Sequence, residues 1–151
     1  LLHYAARDSD APPIKGLDDY YASFDGCVRE LVARPHVDSG LLTILSGHGV
    51  SGLQAQADDG QWLDVPLREG SFAINFGGLL ERWTGGQIKA TRHRVLGQSV
   101  DRYSIPFFFE ARPNTRIEPP PIPGIWPNPR CSGRLPSRHL KRQAGRQARW
   151  L

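Results

Sequence analysis

Apolar and polar positions alternate in short runs through the middle of the chain, and turn residues separate the runs. Leu41-Leu42-Thr43-Ile44-Leu45 is an apolar, β-rich run stopped by Ser46-Gly47-His48-Gly49. Leu53-Gln54-Ala55-Gln56-Ala57 alternates strictly, and Asp58-Asp59-Gly60 then leads into Gln61-Trp62-Leu63-Asp64-Val65. An Asp-Gly step between two strand-like runs predicts a hairpin, because glycine accepts positive φ. Ser71 to Phe76 puts Phe72, Ile74 and Phe76 on one face of a further strand, and Tyr103 to Phe109 supplies another, rich in aromatics. Helix signals are few. Leu79 to Trp83 predicts a turn or two closed by Gly85-Gly86, while Leu17 to Phe24 and Val28 to Ala33 fit helix or strand equally. Many short strands between Gly-rich turns predict an all-β sandwich, jelly roll or barrel with one short helix.

The pattern stops after Glu118. Pro119-Pro120-Pro121-Ile122-Pro123 reads as a polyproline-like break, and an Arg-rich segment without hydrophobic periodicity follows. Residues 119–151 are therefore expected to be a disordered tail, because they bury too little apolar surface to offset their chain entropy. The tail also explains the net charge of +4. Seven basic residues and no acid lie from Arg130 to Leu151, leaving 12 basic against 15 acidic residues elsewhere, a net of −3. The basicity thus gives no reason to expect nucleic-acid binding by the domain.

The remaining bulk features narrow the setting. With 39% hydrophobic and 23% charged residues, 151 positions suffice for one domain with a core. No stretch approaches the roughly 18 apolar residues of a membrane span, and Leu1-Leu2-His3-Tyr4 runs directly into polar sequence. Cys27 and Cys131 are far apart and are read as free thiols, so a reducing, cytoplasmic location is expected. The chain contains no Met, and residues 1–151 are expected to be part of a longer product.

His36-x-Asp38 carries the first candidate chemistry. On an extended segment, residues i and i+2 point to the same side, within reach of one metal ion. His93, 55 residues beyond Asp38 and just before the strand-like Arg94-Val95-Leu96, is the best third ligand. Two imidazoles and a carboxylate on one face leave the opposite positions open, the arrangement suited to non-haem Fe(II). Alone, the His-x-Asp spacing is weak. Nine residues after His93 stands Arg102-x-Ser104, a fork and a hydroxyl that can clamp a carboxylate, though by itself it fits a surface ion pair as well.

Taken in order, His36-Val37-Asp38, His93-Arg94-Val95 and Arg102-Tyr103-Ser104-Ile105-Pro106-Phe107-Phe108 resemble the isopenicillin N synthase-like family of Fe(II)/2-oxoglutarate-dependent dioxygenases. Leu2-His3-Tyr4, Gly40 to Leu45, Gly52-Leu53-Gln54, Trp62 to Pro66 and Leu79 to Thr84 extend the resemblance over residues 1 to about 118. It implies a catalytic domain over 1–118, folded as a double-stranded β-helix whose mouth holds iron bound by His36, Asp38 and His93. It further implies that Arg102 and Ser104 hold the distal carboxylate of 2-oxoglutarate as cosubstrate, with Tyr4 close by. The implied reaction couples 2-oxoglutarate decarboxylation to hydroxylation or desaturation of a small organic molecule by O₂. Separately, the hydropathy and charge pattern lead to the expectation of no membrane or nucleic-acid partner, and the chain is expected to be a monomer.

Several positions depart from the family. Its N-terminal helical region is absent from residues 1–151, which should leave apolar surface uncovered. The stretch from Tyr4 to His36 is longer than usual, and Gly77-Gly78 replaces a common Gly-Asp, removing a capping carboxylate. Two alternatives follow: an Fe(II)/O₂ oxidase that uses no 2-oxoglutarate, and a truncated, inactive relative that only binds metal. His3, His48 and His139 are expected to be unliganded, and Asp58 and Asp59 to serve a turn. Trp62, Trp83 and Phe107 to Phe109 are expected in the core, with alternate phenylalanines lining the cavity.

Overall fold

In the computed structural model, which describes residues 1–7, 12–112, 114–117 and 133–134, the alternating runs form antiparallel sheets. One has four strands in the order β1 (Leu2–Tyr4), β9 (Arg102–Phe109), β4 (Leu42–Gly47) and β7 (Phe72–Phe76). The other has five, in the order β2 (Tyr21–Phe24), β3 (Cys27–His36), β8 (His93–Leu96), β5 (Leu53–Gln56) and β6 (Trp62–Asp64). The inner faces of both line one cavity of about 170 Å³. Two curled sheets closing on a shared cavity make the fold a double-stranded β-helix, a jelly roll. A short pair, β10 (Arg116–Ile117) with β11 (Gly133–Arg134), forms a separate two-stranded sheet. The rest of the expected tail, with Cys131 and His139, falls outside the described residues.

The turn chemistry works as the residue types require. β5 and β6 pair Gln54 with Asp64 and Gln56 with Trp62, around a loop in which Gly60 has φ +87°. Helix α1 (Gly78–Trp83) ends in a Schellman arrangement. The Gly86 amide donates to the Glu81 carbonyl and that of Gly85 to Arg82, with both glycines at positive φ. Its N-terminus has no side-chain cap, in line with the missing carboxylate. Backbone carbonyls of the 38–41 loop fill that role instead, since Gly77, Gly78 and Leu79 donate to Leu41, Asp38 and Gly40.

The two ambiguous segments resolve through their neighbours. Leu17 to Phe24 divides into a 3₁₀ turn (Asp18–Tyr20) and β2, and Val28 to Ala33 becomes strand because β2 and β8 pair with it on either side. Pro35 lies inside β3, beyond the last residue paired to β2 and within an irregular stretch opposite β8. That is a place where a missing N–H costs little.

The aromatic run is a correction. Phe108 lines the cavity, but Phe107 and Phe109 are exposed, so they do not belong to the core. Trp62 and Trp83 are only half-buried, with Trp62 packed under the Arg94 guanidinium. Phe72, Ile74 and Phe76 face outward on β7, as Ile105, Phe107 and Phe109 do on β9 across the intervening β4, giving the four-stranded sheet an apolar outer face. The core lies between the sheets instead, built on Leu53, Leu67 and Val95 with Val32, Ala33, Leu45, Val65 and Ala73 around them. Among the described residues no helix is long and apolar enough to cross a membrane.

Candidate metal and carboxylate site

β3 ends on His36 and β8 begins on His93, and the register sets the two directly opposite each other. Their rings lie 4.2 Å apart, tilted by 56°. Asp38 follows two residues after His36, and the ligand atoms of the three side chains all come within 4.8 Å of one another. Asp38 Oδ1 is 3.7 Å from Nε2 of His36 and 3.8 Å from Nε2 of His93.

Backbone carbonyls set the tautomers. Nδ1 of His36 lies 2.7 Å from the Arg34 oxygen, and Nδ1 of His93 lies 3.0 Å from that of Thr91. A carbonyl only accepts, so each Nδ1 carries the proton and donates it. With the proton on Nδ1, the Nε2 of each ring is directed at the shared space, the preparation typical of metal-binding histidines. Asp38 is oriented too. Its Oδ2 accepts hydrogen bonds from Thr43 Oγ1 (2.5 Å) and Asn75 Nδ2 (2.8 Å), which turns Oδ1 towards the histidines. Two imidazole nitrogens and one carboxylate oxygen, each fixed by an outer partner, form a donor set that fits Fe(II).

Arg102 and Ser104 alternate inward on β9, each 2% exposed, and line the same cavity as the three donors. Arg102 Nη1 reaches Ser104 Oγ at 3.5 Å, whereas Nε and Nη2 are buried without a hydrogen-bond partner among the described residues. Buried polar groups are normally paired, so the two orphaned guanidinium donors have the capacity to take an anionic ligand. Burial lowers the Arg102 pKa, partly opposed by Tyr4. Tyr4 on β1 is the cross-strand partner of Arg102, whose Cζ lies 5.3 Å from the ring centre. Burial raises the Tyr4 pKa, and the neighbouring Arg102 charge lowers it in part.

All six site residues expected from the sequence therefore line one cavity. His48 is exposed in its turn, and His3 is exposed and bound to Asp101 at 3.1 Å, so neither joins them. Sequence reasoning missed Thr43 and Asn75. Both are polar residues inside apolar strand runs, the one trace they leave in the sequence. That they share the inward phase with Leu45 and Ala73 is visible only in the fold.

Residues 18–111 match the 2OG-Fe(II) oxygenase superfamily, and the chain belongs to that family. Iron(II) and 2-oxoglutarate are the family's metal and cosubstrate, and the donor set and the orphaned guanidinium fit both. Over 121 residues the chain is 34% identical to the 2-oxoglutarate-dependent dioxygenase tropC of Talaromyces stipitatus, covering 79% of this chain and 32% of that protein. It is 37% identical over 93 residues to the 2-oxoglutarate-dependent dioxygenase citB of Monascus ruber, covering 60% and 28%. A full-length Neurospora crassa protein, crystallised in complex with alpha-KG, aligns with a TM-score of 0.63 at 29% identity, over 77% of this chain and 38% of that one. The chain thus spans about a third or less of the length of these two curated relatives.

Proposed function

We propose that residues 1–118 act as the catalytic domain of an Fe(II)/2-oxoglutarate-dependent dioxygenase that oxidises a small organic molecule by hydroxylation or desaturation. His36, Asp38 and His93 hold the iron, Arg102 and Ser104 hold the distal carboxylate of 2-oxoglutarate, and Tyr4 flanks that carboxylate. The observation that carries this reading is the buried Arg102, whose Nε and Nη2 have no partner among the described residues and lie in the cavity that also holds the three donors. Bound there, iron would supply the site at which O₂, the oxidant, is reduced by four electrons, two from 2-oxoglutarate as it is decarboxylated to succinate and two from the organic substrate. The protein's own part is to orient and to exclude. The two Nδ1–H bonds hold both Nε2 atoms ready as donors, and Arg102 would hold the diacid at one end and so orient its other end towards the three donors. The apolar cavity wall, from Leu45, Leu53, Val95 and Phe108 among others, keeps water away from the reacting centre. We further propose that the chain works as a monomer in the cytoplasm, without a nucleic-acid partner.

The test is succinate formation by the aerobic chain with Fe(II) and 2-oxoglutarate, alongside oxygen uptake with and without 2-oxoglutarate. Uptake and succinate that both require 2-oxoglutarate support the reading. Uptake without it would favour an oxidase in which Arg102 grips a substrate carboxylate. Iron binding with neither would make the chain an inactive relative.

A further inference from the structure

We propose that Thr43 and Asn75 are positioning residues that reserve the second oxygen of Asp38, so that the carboxylate offers a metal only one oxygen. The inference rests on the metal reading of His36, Asp38 and His93 above. Thr43 and Asn75 are direct cross-strand partners on β4 and β7, and both line the cavity. From one strand a hydroxyl and from the other an amide donate to the same atom, Oδ2, at 2.5 and 2.8 Å. Oδ1 is left facing the two imidazole nitrogens. A carboxylate binds a metal through one oxygen or through both, so the choice falls to its surroundings.

Here the surroundings oppose chelation. For Asp38 to bring Oδ2 onto the metal, both donors would have to be released. Thr43 is 4% exposed and the Asp38 side chain 13% exposed, so water would replace those bonds poorly. The backbone adds a second restraint, because the Asp38 carbonyl accepts the Gly78 amide of α1 at 2.7 Å and ties the residue to the helix start. Single-oxygen ligation matters because an open facial triad works through its free positions. A chelating Asp38 would take one of the positions that a bidentate diacid and a further ligand need.

The experiment is an anaerobic titration of the full chain with Co(II), whose visible bands report coordination number, followed by 2-oxoglutarate added to the Co(II)-loaded protein. In Thr43→Val/Asn75→Leu the Co(II) bands should change in position and intensity. The Kd for 2-oxoglutarate should rise about tenfold or more, within the range typical of outer-partner losses at metal sites. The single variants Thr43→Val and Asn75→Ala should move both readouts in the same direction by less, and they decide the matter if the double variant does not fold. Thr43→Ser keeps the hydroxyl and should match the wild type. Folded variants with wild-type bands and unchanged 2-oxoglutarate affinity would overturn the proposal, as would a Thr43→Ser chain shifted as far as Thr43→Val. A wild-type chain that binds no Co(II) would instead overturn the metal reading beneath it.

Discussion

Replacing Arg102 with methionine should make the ligand-free chain more stable. Arg102 is 2% exposed, and its Nε and Nη2 have no partner among the described residues. A buried unsatisfied donor costs about 1–3 kcal/mol, so the two together cost roughly 2–6 kcal/mol. Against this stands the contact with the Tyr4 ring at 5.3 Å, worth about 0.5–2 kcal/mol. The Ser104 contact at 3.5 Å is at the limit of a hydrogen bond and adds little. Methionine is flexible and fills much of the vacated space. The net expectation is a gain of about 0–5.5 kcal/mol, with a midpoint of about 3 kcal/mol, the difference of those two terms. For a chain of this size that is roughly 2–4 °C in Tm per kcal/mol. Urea denaturation with and without 2-oxoglutarate, anaerobically with Fe(II), separates the two roles of the residue. Ligand at a hundredfold excess over Kd should stabilise the wild type by about 2.7 kcal/mol and Arg102→Met hardly at all. A methionine variant that is less stable than the wild type, and is still protected by 2-oxoglutarate, would refute the reasoning.

Other expectations rest on single features. Asp38→Ala removes the shared oxygen between His36 and His93 and should abolish stoichiometric Fe(II) binding in equilibrium dialysis, while the fold, read by circular dichroism, persists. The raised Tyr4 pKa means that the unfolded state loses the phenol proton first as pH climbs past the ordinary tyrosine range. Stability should therefore fall there with rising pH and level off only above the folded pKa. Tyr4→Phe should flatten that fall in denaturation measured across alkaline pH. Gly77→Ala would drive a Cβ into the Gly40 carbonyl, costing about 1–3 kcal/mol by overpacking and loosening the backbone tie that holds Asp38. Paired denaturation and Co(II) titration should show both losses. Phe107, 60% exposed on the outer sheet face, should accept serine within about 0.5 kcal/mol, with higher solubility as the visible effect.

The strands, the hairpin at Gly60 and the short helix closed by Gly85-Gly86 were legible because each rests on local chemistry that a few residues carry. Which side of a strand faces inward was not. Phe72, Ile74 and Phe76 alternate as a buried face would, yet they point outward, and the smaller Ala73 and Asn75 face the cavity. Periodicity fixes which residues share a face, while tertiary packing decides which face is covered. The same limit hid Thr43 and Asn75, whose role depends on a cross-strand register and on an Asp38 oxygen brought from another segment. His36 with Asp38 and Arg102 with Ser104 were legible as i, i+2 pairs on common faces, and His93 through its place before a strand-like run. The order of the three motifs together, and no single spacing, made the set specific. The convergence of β3, β8 and β9 on one cavity was beyond local pattern and needed the fold.

The most direct test is an anaerobic titration of the wild-type chain with Fe(II) and 2-oxoglutarate, followed by visible absorption. If the three donors hold iron and Arg102 holds the diacid, a weak visible charge-transfer band should grow to one equivalent of each. It should be lost in Asp38→Ala and need far more 2-oxoglutarate in Arg102→Met. No band in the wild type, with no succinate formed on admitting air, would contradict the assignment of this cavity to iron and 2-oxoglutarate.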